Sequence, residues 1–340
     1  MGTFNSTGSG GNWTDDSTWA ETGQPAADGT DHVIITGGDT VTLTANTGTG
    51  SIKISGTIEG AGHTLTVSSA YSNKPFDNDG TIDSGSDLNV TITNTGTQQD
   101  GLFCDFNQAS QGNINNLTIN LANGTTANKT VICGGDTTID GALTITSGTL
   151  DTSSSSNVDL TVTGDVSVTG TLTGNASAIS MGSLTINSGG TYSATSGTTT
   201  LTKNNGSGYI MQSAGTSRFT HNNGTIKFDG SESVPSIDVD DPFKNVIIDT
   251  NNKLRVIDQK FDIAGDLTIT SGGAFAHSSF PNTVIEVAGD VDIQAGTLGS
   301  TGCTADWEFG SLTIASGATY IAPSGTTTIT DESSGGDAVS

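Results

Sequence analysis

Leu143-Thr144-Ile145, closed two residues later by Ser147-Gly148, is one copy of a motif that runs the length of the chain. It recurs as Leu184-Thr185-Ile186 before Ser188-Gly189, as Leu267-Thr268-Ile269 before Ser271-Gly272, and as Leu312-Thr313-Ile314 before Ser316-Gly317. Alternation inside each copy has period two, as in Leu88-Asn89-Val90-Thr91-Ile92 and Leu117-Thr118-Ile119-Asn120-Leu121, so the aliphatics share one strand face and Thr or Asn the other. Taking the first aliphatic of each segment as an anchor gives Leu65, Leu88, Leu117, Leu143, Val166, Leu184, Leu201, Ile226, Val246, Leu267, Val291 and Leu312, at intervals of 17 to 29 residues. One anchor per coil of a β-solenoid accounts for that loose period. A sandwich would show longer strands and closer turns, and a propeller would need repeats of about 40 residues. Long helical periodicity is absent. The expected fold is therefore all-β, a parallel β-helix or β-solenoid with an N-terminal cap. Residues 1–32 form the cap and anchor segment, 33–330 the irregular coils of about 20–25 residues, and 331–340 a flexible tail or linker.

Composition points the same way. Hydrophobic residues make up 32% and charged residues 13%, with 47 Gly, which is too polar for a broad core and too weakly charged for disorder. A solenoid needs only a thin apolar column. The turns Asn204-Asn205-Gly206 and Asn222-Asn223-Gly224, and the pairs Gly164-Asp165, Gly265-Asp266 and Gly289-Asp290, are expected to supply positive φ at corners. The net charge of −25, from 35 acidic against 10 basic residues, repels nucleic acid and anionic membranes. The basic-leaning stretch Lys244, Lys253, Arg255 and Lys260 is interleaved with Asp249, Asp258 and Asp262, and reads as a salt-bridged face. Cys104, Cys133 and Cys303 show no metal-ligand spacing and read as buried small hydrophobes. No apolar run suits a signal peptide or a transmembrane segment.

The N-terminal stretch reads Gly11-Asn12-Trp13-Thr14-Asp15-Asp16-Ser17-Thr18-Trp19, then Pro25, then Asp31-His32-Val33-Ile34-Ile35 and Gly38-Asp39-Thr40-Val41. Trp13 and Trp19 are the cap and anchor candidates, closing the apolar end of the solenoid. This stretch resembles the Gly-Asn-Trp…Thr-Trp…Pro…Gly-Asp opening of bacterial and phage surface proteins built on right-handed β-helices, related to the G8-type module. Coils such as Thr161-Val162-Thr163-Gly164-Asp165-Val166-Ser167-Val168 are similar in style to the repetitive fibre, spike and decoration proteins of marine bacteriophages. The resemblance implies a structural virion protein on the extracellular particle surface. Its implied partners are other capsid or tail proteins, further copies of itself in a homo-oligomer such as a trimer, and host surface glycans.

Chemistry is sparse. His32, His63, His221 and His277 fall in different coils, and no hydrolase, phosphate-binding or metalloprotease motif occurs. No enzymatic activity, cofactor or metal is expected. Three readings compete with the structural one. A glycan-cleaving spike would use acids such as Glu232, Asp238, Asp240 and Asp241, with a carboxylate pair flanking the bond. A cell-surface adhesin is the second. Ice binding by Thr-x-Thr pairs is the third, but those pairs start at 64, 91, 144 and 268, an uneven spacing that argues against a ladder. Tyr71, Phe103 and Trp307 are the candidates for stacking on glycans, with gap-filling in an uneven core as their competing role. Asp77-Asn78-Asp79-Gly80 and Gly134-Gly135-Asp136 are oxygen-rich turns that could hold calcium or serve as plain Asx-turns.

Overall fold

A computed structural model describes residues 2–68, 73–85, 87–94, 101–106, 112–122, 129–153, 155–216, 218–231, 235–257, 260–275 and 283–330. The strands are short and pair in parallel, coil upon coil, making a β-solenoid; one 3-10 turn, Asp16–Thr18, is the only helical element among the described residues. The chain divides into two compact units, Met1–Asn175 and Ala176–Ser340.

In the first unit each full coil lays a strand on each of three faces. One coil runs through Ser51–Ile54, Thr57–Glu59 and Thr64–Val67, and the next through Phe76–Asn78, Thr81–Ile82 and Asn89–Thr93. Inward positions form continuous columns: Val33 lies beside Ile52, Ile52 beside Phe76, and Phe76 beside Cys104, which in turn adjoins Cys133. All five are essentially without exposed surface. Burying each such aliphatic or aromatic side chain contributes about 1.5–3 kcal/mol, drawn mostly from contact with adjoining coils. The stacked thiols behave as small hydrophobes and are free. Burial pushes the Cys133 thiol up to about 12 and raises that of Cys104 as well, where the adjoining Cys133 adds to the effect.

On the outward face the Thr-x-Thr pairs do not align, since Thr64 faces Asn89 and Thr93 faces Asn120, but one hydroxyl column runs through them. Thr66, Thr91, Thr118, Thr144 and Ser167 stand in direct register on successive strands. The intervals differ, yet the register holds along these rungs, and a bulge follows only after Ile119, where Asn120 moves onto Ser147. Rungs in such a column repeat at roughly 4.8 Å.

Glycines at the Gly-Asp corners act differently from the positive-φ role expected of them. Gly164 and Gly289 lie outside the left-handed region, but a Cβ on Gly164 would sit 2.2 Å from the Gly141 oxygen, and one on Gly289 2.2 Å from Asp266 Oδ1. Close approach of coils is what requires glycine there. Asn222 and Asn223 do adopt positive φ, at 47° and 62°.

The second unit shifts the anchor pattern. Leu184 stacks beside Met211 whereas Leu201 stacks beside Met181 and Phe228, so these two anchors lie in different columns and do not mark successive coils. From there Ile226, Val246, Leu267, Val291 and Leu312 form one column. Its interior also holds an aromatic stack, Tyr192, Phe219, Phe243, Phe261 and Phe275, with successive centroids 6.0, 5.3, 5.3 and 5.2 Å apart.

Candidate functional site

Solenoid ends expose unpaired strand edges, and the N-terminal segment covers one of them. Strand Thr3–Asn5 already lies in register on His32–Ile34, and Gly10–Asn12 on Thr40–Thr42, so the solenoid's sheets begin inside the segment read as the cap. The chain then doubles back. Ser6 and Trp19 form an antiparallel bridge, the Ala20 amide donates to the Asn5 carbonyl, and the Thr7 amide to that of Thr18. On another face residues 26–31 cover strand Thr47–Thr49: the Gly50 amide and the Thr49 hydroxyl both donate to the Asp31 carbonyl. Trp13 and Trp19 are 1% and 3% exposed and meet edge-to-face at 5.3 Å, with Phe4 6.3 Å from Trp19. The Trp19 indole donates to the Trp13 carbonyl at 2.9 Å, while the buried Trp13 indole nitrogen has no hydrogen-bond partner.

Asp31 pins this arrangement by accepting from the Gly2 amide at 2.6 Å and the Ala26 amide at 2.9 Å. Burial alone would raise its pKa, but those amide hydrogen bonds outweigh it and hold the carboxyl below its usual range. Two shallow clefts adjoin the cap, of about 270 Å³ beside Trp13, Gln24 and Asn46, and about 360 Å³ beside Asp28, Thr66 and Thr93.

The second candidate surface is the face carrying strand Leu102–Asp105. Phe103 points outward at 45% exposure and is the one exposed large hydrophobic side chain among the described residues. It lies in register with part-exposed Ile132. Beside it, Asp77 and Asp105 occupy the same outward column, an arrangement that like charges would oppose. Lys74 resolves this by pairing with both, at 2.6 and 2.7 Å, and Lys53 reaches Asp77 and Asp79 at 3.5 and 3.0 Å. Partial burial works against the Lys74 charge, but its hydrogen bonds to Asp105 and Asp77 prevail and raise its pKa. Lysines 227 and 260 repeat the device in the second unit, spanning Asp229 and Asp249, and Asp262 and Glu286.

The remaining sequence candidates separate. Trp307 is 1% exposed, with its indole donating to the Thr283 carbonyl and its ring against Phe309 and Tyr320, so its face is spent on the core. Tyr71, Glu232 and the 331–340 segment lie outside the described residues. Asp241 accepts from the Phe219 amide at 2.6 Å. Asp238 is half-buried on strand Ser236–Asp238, and burial followed by the neighbouring Asp240 charge raises its pKa. The carboxylates of the turn 77–80 serve as lysine partners, and Asn78 points inward, its Oδ1 accepting from the Gly80 amide. Asp136 accepts from the Asp159 amide. Among the four cations of the basic-leaning stretch, Lys260 makes the expected ion pairs, Lys244 donates to the Ala264 carbonyl, and Arg255 to Ser236 Oγ. The lysine-clamped acid columns and the hydroxyl column were invisible to sequence reading, since both depend on which coil neighbours which.

No family model, curated protein or solved structure matches this chain. No helix among the described residues is long and apolar enough to cross a membrane.

Proposed function

We propose that this protein is a structural element of a virion surface, a phage fibre, spike or capsid decoration, serving as a stiff spacer that carries adhesive loops. The observation that supports this most is the in-register stacking of coils, with aliphatic columns inside and Thr, Asn and clamped Asp columns outside. Such a unit resists bending because each coil is held to the next by parallel backbone hydrogen bonds and shared core contacts. The Trp13 and Trp19 segment would face a capsid or tail protein, and Phe103 with Ile132 offers an apolar spot for a host glycan. Self-association into a homo-oligomer such as a trimer belongs to the same reading.

Mass spectrometry of purified particles tests it. A fixed copy number per particle is expected. Detection of the chain in envelopes of uninfected cells would replace the virion with a cell-surface adhesin. A second reading, glycan cleavage, draws on Asp238, whose raised pKa beside Asp240 suits a proton donor. Release of reducing sugar from host capsule, lost in both Asp238→Asn and Asp240→Asn, would favour it.

A further inference from the structure

The tripeptide Asn-Asn-Gly stands at two corners of the second unit, 204–206 and 222–224, and the fold treats the two copies differently. At the first, the Asn205 carboxamide is held from both sides. Its Oδ1 accepts from the Ser207 amide at 2.9 Å and the Tyr209 amide at 3.0 Å, and its Nδ2 donates to Thr185 Oγ1 at 3.2 Å. The Asn205 amide donates to the Tyr209 carbonyl and the Gly208 amide to the Asn205 carbonyl, which closes the corner around that side chain. Gly206 is exposed, nothing lies within 4 Å of the Cβ it lacks, and its own amide makes no hydrogen bond among the described residues.

At the second corner the same groups are occupied or absent. Gly224 is buried, its amide donates to the His221 carbonyl at 2.9 Å, and an added Cβ would sit 2.0 Å from the Thr195 oxygen. Asn223 lies at a positive φ of 62° with its side chain exposed, and no described amide donates to its carboxamide.

A carboxamide next to glycine is open to the following backbone nitrogen, because no Cβ obstructs the approach. We propose that Asn205 is a self-modification site, converted through a cyclic succinimide to aspartate or iso-aspartate at position 205. The Gly206 nitrogen bonds to Asn205 Cγ, the Cγ–Nδ2 bond breaks, and Nδ2 leaves as ammonia with the proton that Gly206 gives up. One water then opens the ring at either carbonyl, so the sequence consumes no oxidant or reductant. Charge develops on Oδ1 during the addition, and the two backbone amides at 2.9 and 3.0 Å already surround that atom at the spacing that stabilises an oxyanion. Thr185 orients the nitrogen that departs. Each event adds one carboxylate to a chain of net charge −25, and the iso-linked product lengthens the backbone just before strand Tyr209–Ser213. This inference rests on the geometry of one corner, not on the virion reading.

Ageing the 340-residue chain in heavy-oxygen water at mildly alkaline pH, followed by trypsin digestion and mass spectrometry, tests it. Cleavage after Lys203, Arg218 and Lys227 places the two copies in separate peptides, 204–218 and 219–227. In the folded chain position 205 should gain solvent oxygen about tenfold faster than position 223, or more. That difference should vanish when the chain is aged in denaturant, where the two tripeptides are equivalent. Gly206→Ala, which the open space around Gly206 accommodates, should slow the reaction at position 205 several-fold and leave position 223 unchanged. Equal rates in the folded chain, product at Asn204 in place of Asn205, or a difference that persists in denaturant overturns the proposal. So does an unaltered rate in Gly206→Ala, which would mean that water attacks the carboxamide directly.

Discussion

The first coil and the last described coil are built in opposite ways. At residues 3–31 the chain folds back antiparallel across Thr3–Asn5, seals Thr47–Thr49 with the 26–31 segment, and buries two indoles. At residues 312–330 the edge keeps the form of an interior coil, with Tyr320 bonded to Thr327 as Tyr192 is to Thr199. The cap is made of sequence unlike the repeat, whereas residues 309–330 keep sixteen of the 22 residues of the interior coil 181–202. The contrast separates an edge crossed by dissimilar, antiparallel chain from one that keeps the geometry of an interior coil.

Truncating the aromatic at each end should sharpen that contrast most. Trp19→Ala is expected to cost about 3–5 kcal/mol in denaturant unfolding. Tyr320→Ala, with less surface buried, should cost about half as much or less. Equal losses would mean that the last coil is as enclosed as the first. Next in size is Gly289→Ala, whose Cβ would meet Asp266 Oδ1 at 2.2 Å. A loss of about 1–3 kcal/mol is expected, against near-neutrality for Gly135→Ala, which has nothing within 4 Å of the added atom.

Acid should loosen the two ends unequally. The folded pKa of Asp31 is depressed, so its contribution is complete above the unfolded value of about 3.9 and disappears as pH falls through the lower folded value. Protection factors of the amides at residues 3–12, corrected for the intrinsic slowing of exchange in acid, should fall on acidification below about pH 4, and Asp31→Asn, costing about 1–3 kcal/mol at neutral pH, should remove that dependence. The strands Thr319–Tyr320 and Thr327–Ile329 have among the described residues no clamp as buried as Asp31, the Asp306 carboxylate that accepts from the Thr326 amide being exposed, and should respond less. Smallest is Lys74→Met, since both ion pairs involve a side chain 41% exposed. A change of about 0.2–1 kcal/mol is expected, shrinking further in high salt.

Solenoid architecture was legible because alternation in Leu117-Thr118-Ile119 and its copies reports which face is buried, one strand at a time. Register was not, since it is settled between coils. Anchors Leu184 and Leu201 look equivalent in the sequence yet belong to different columns. The uneven starts of the Thr pairs do go with the lack of a paired ladder, Thr64 facing Asn89 and Thr93 facing Asn120, but they gave no sign of the single column Thr66, Thr91, Thr118 and Thr144. Glycine misled in a similar manner: Gly164 and Gly289 were read for their torsional freedom, and they are needed for their missing side chain. Trp307 was ambiguous because a large aromatic in a polar stretch suits a binding loop and a core plug equally. Its indole bond to Thr283 decides for the core.

The straightness of that hydroxyl column has a practical corollary. Val33 to Ile52 and Phe76 to Cys104 are single steps between neighbouring strands although they differ in length by nine residues. Foreign peptides grafted into the longer corners should therefore leave the neighbouring rungs where they are, so that the molecule lends itself to display: its decorations vary freely while its ruler stays fixed.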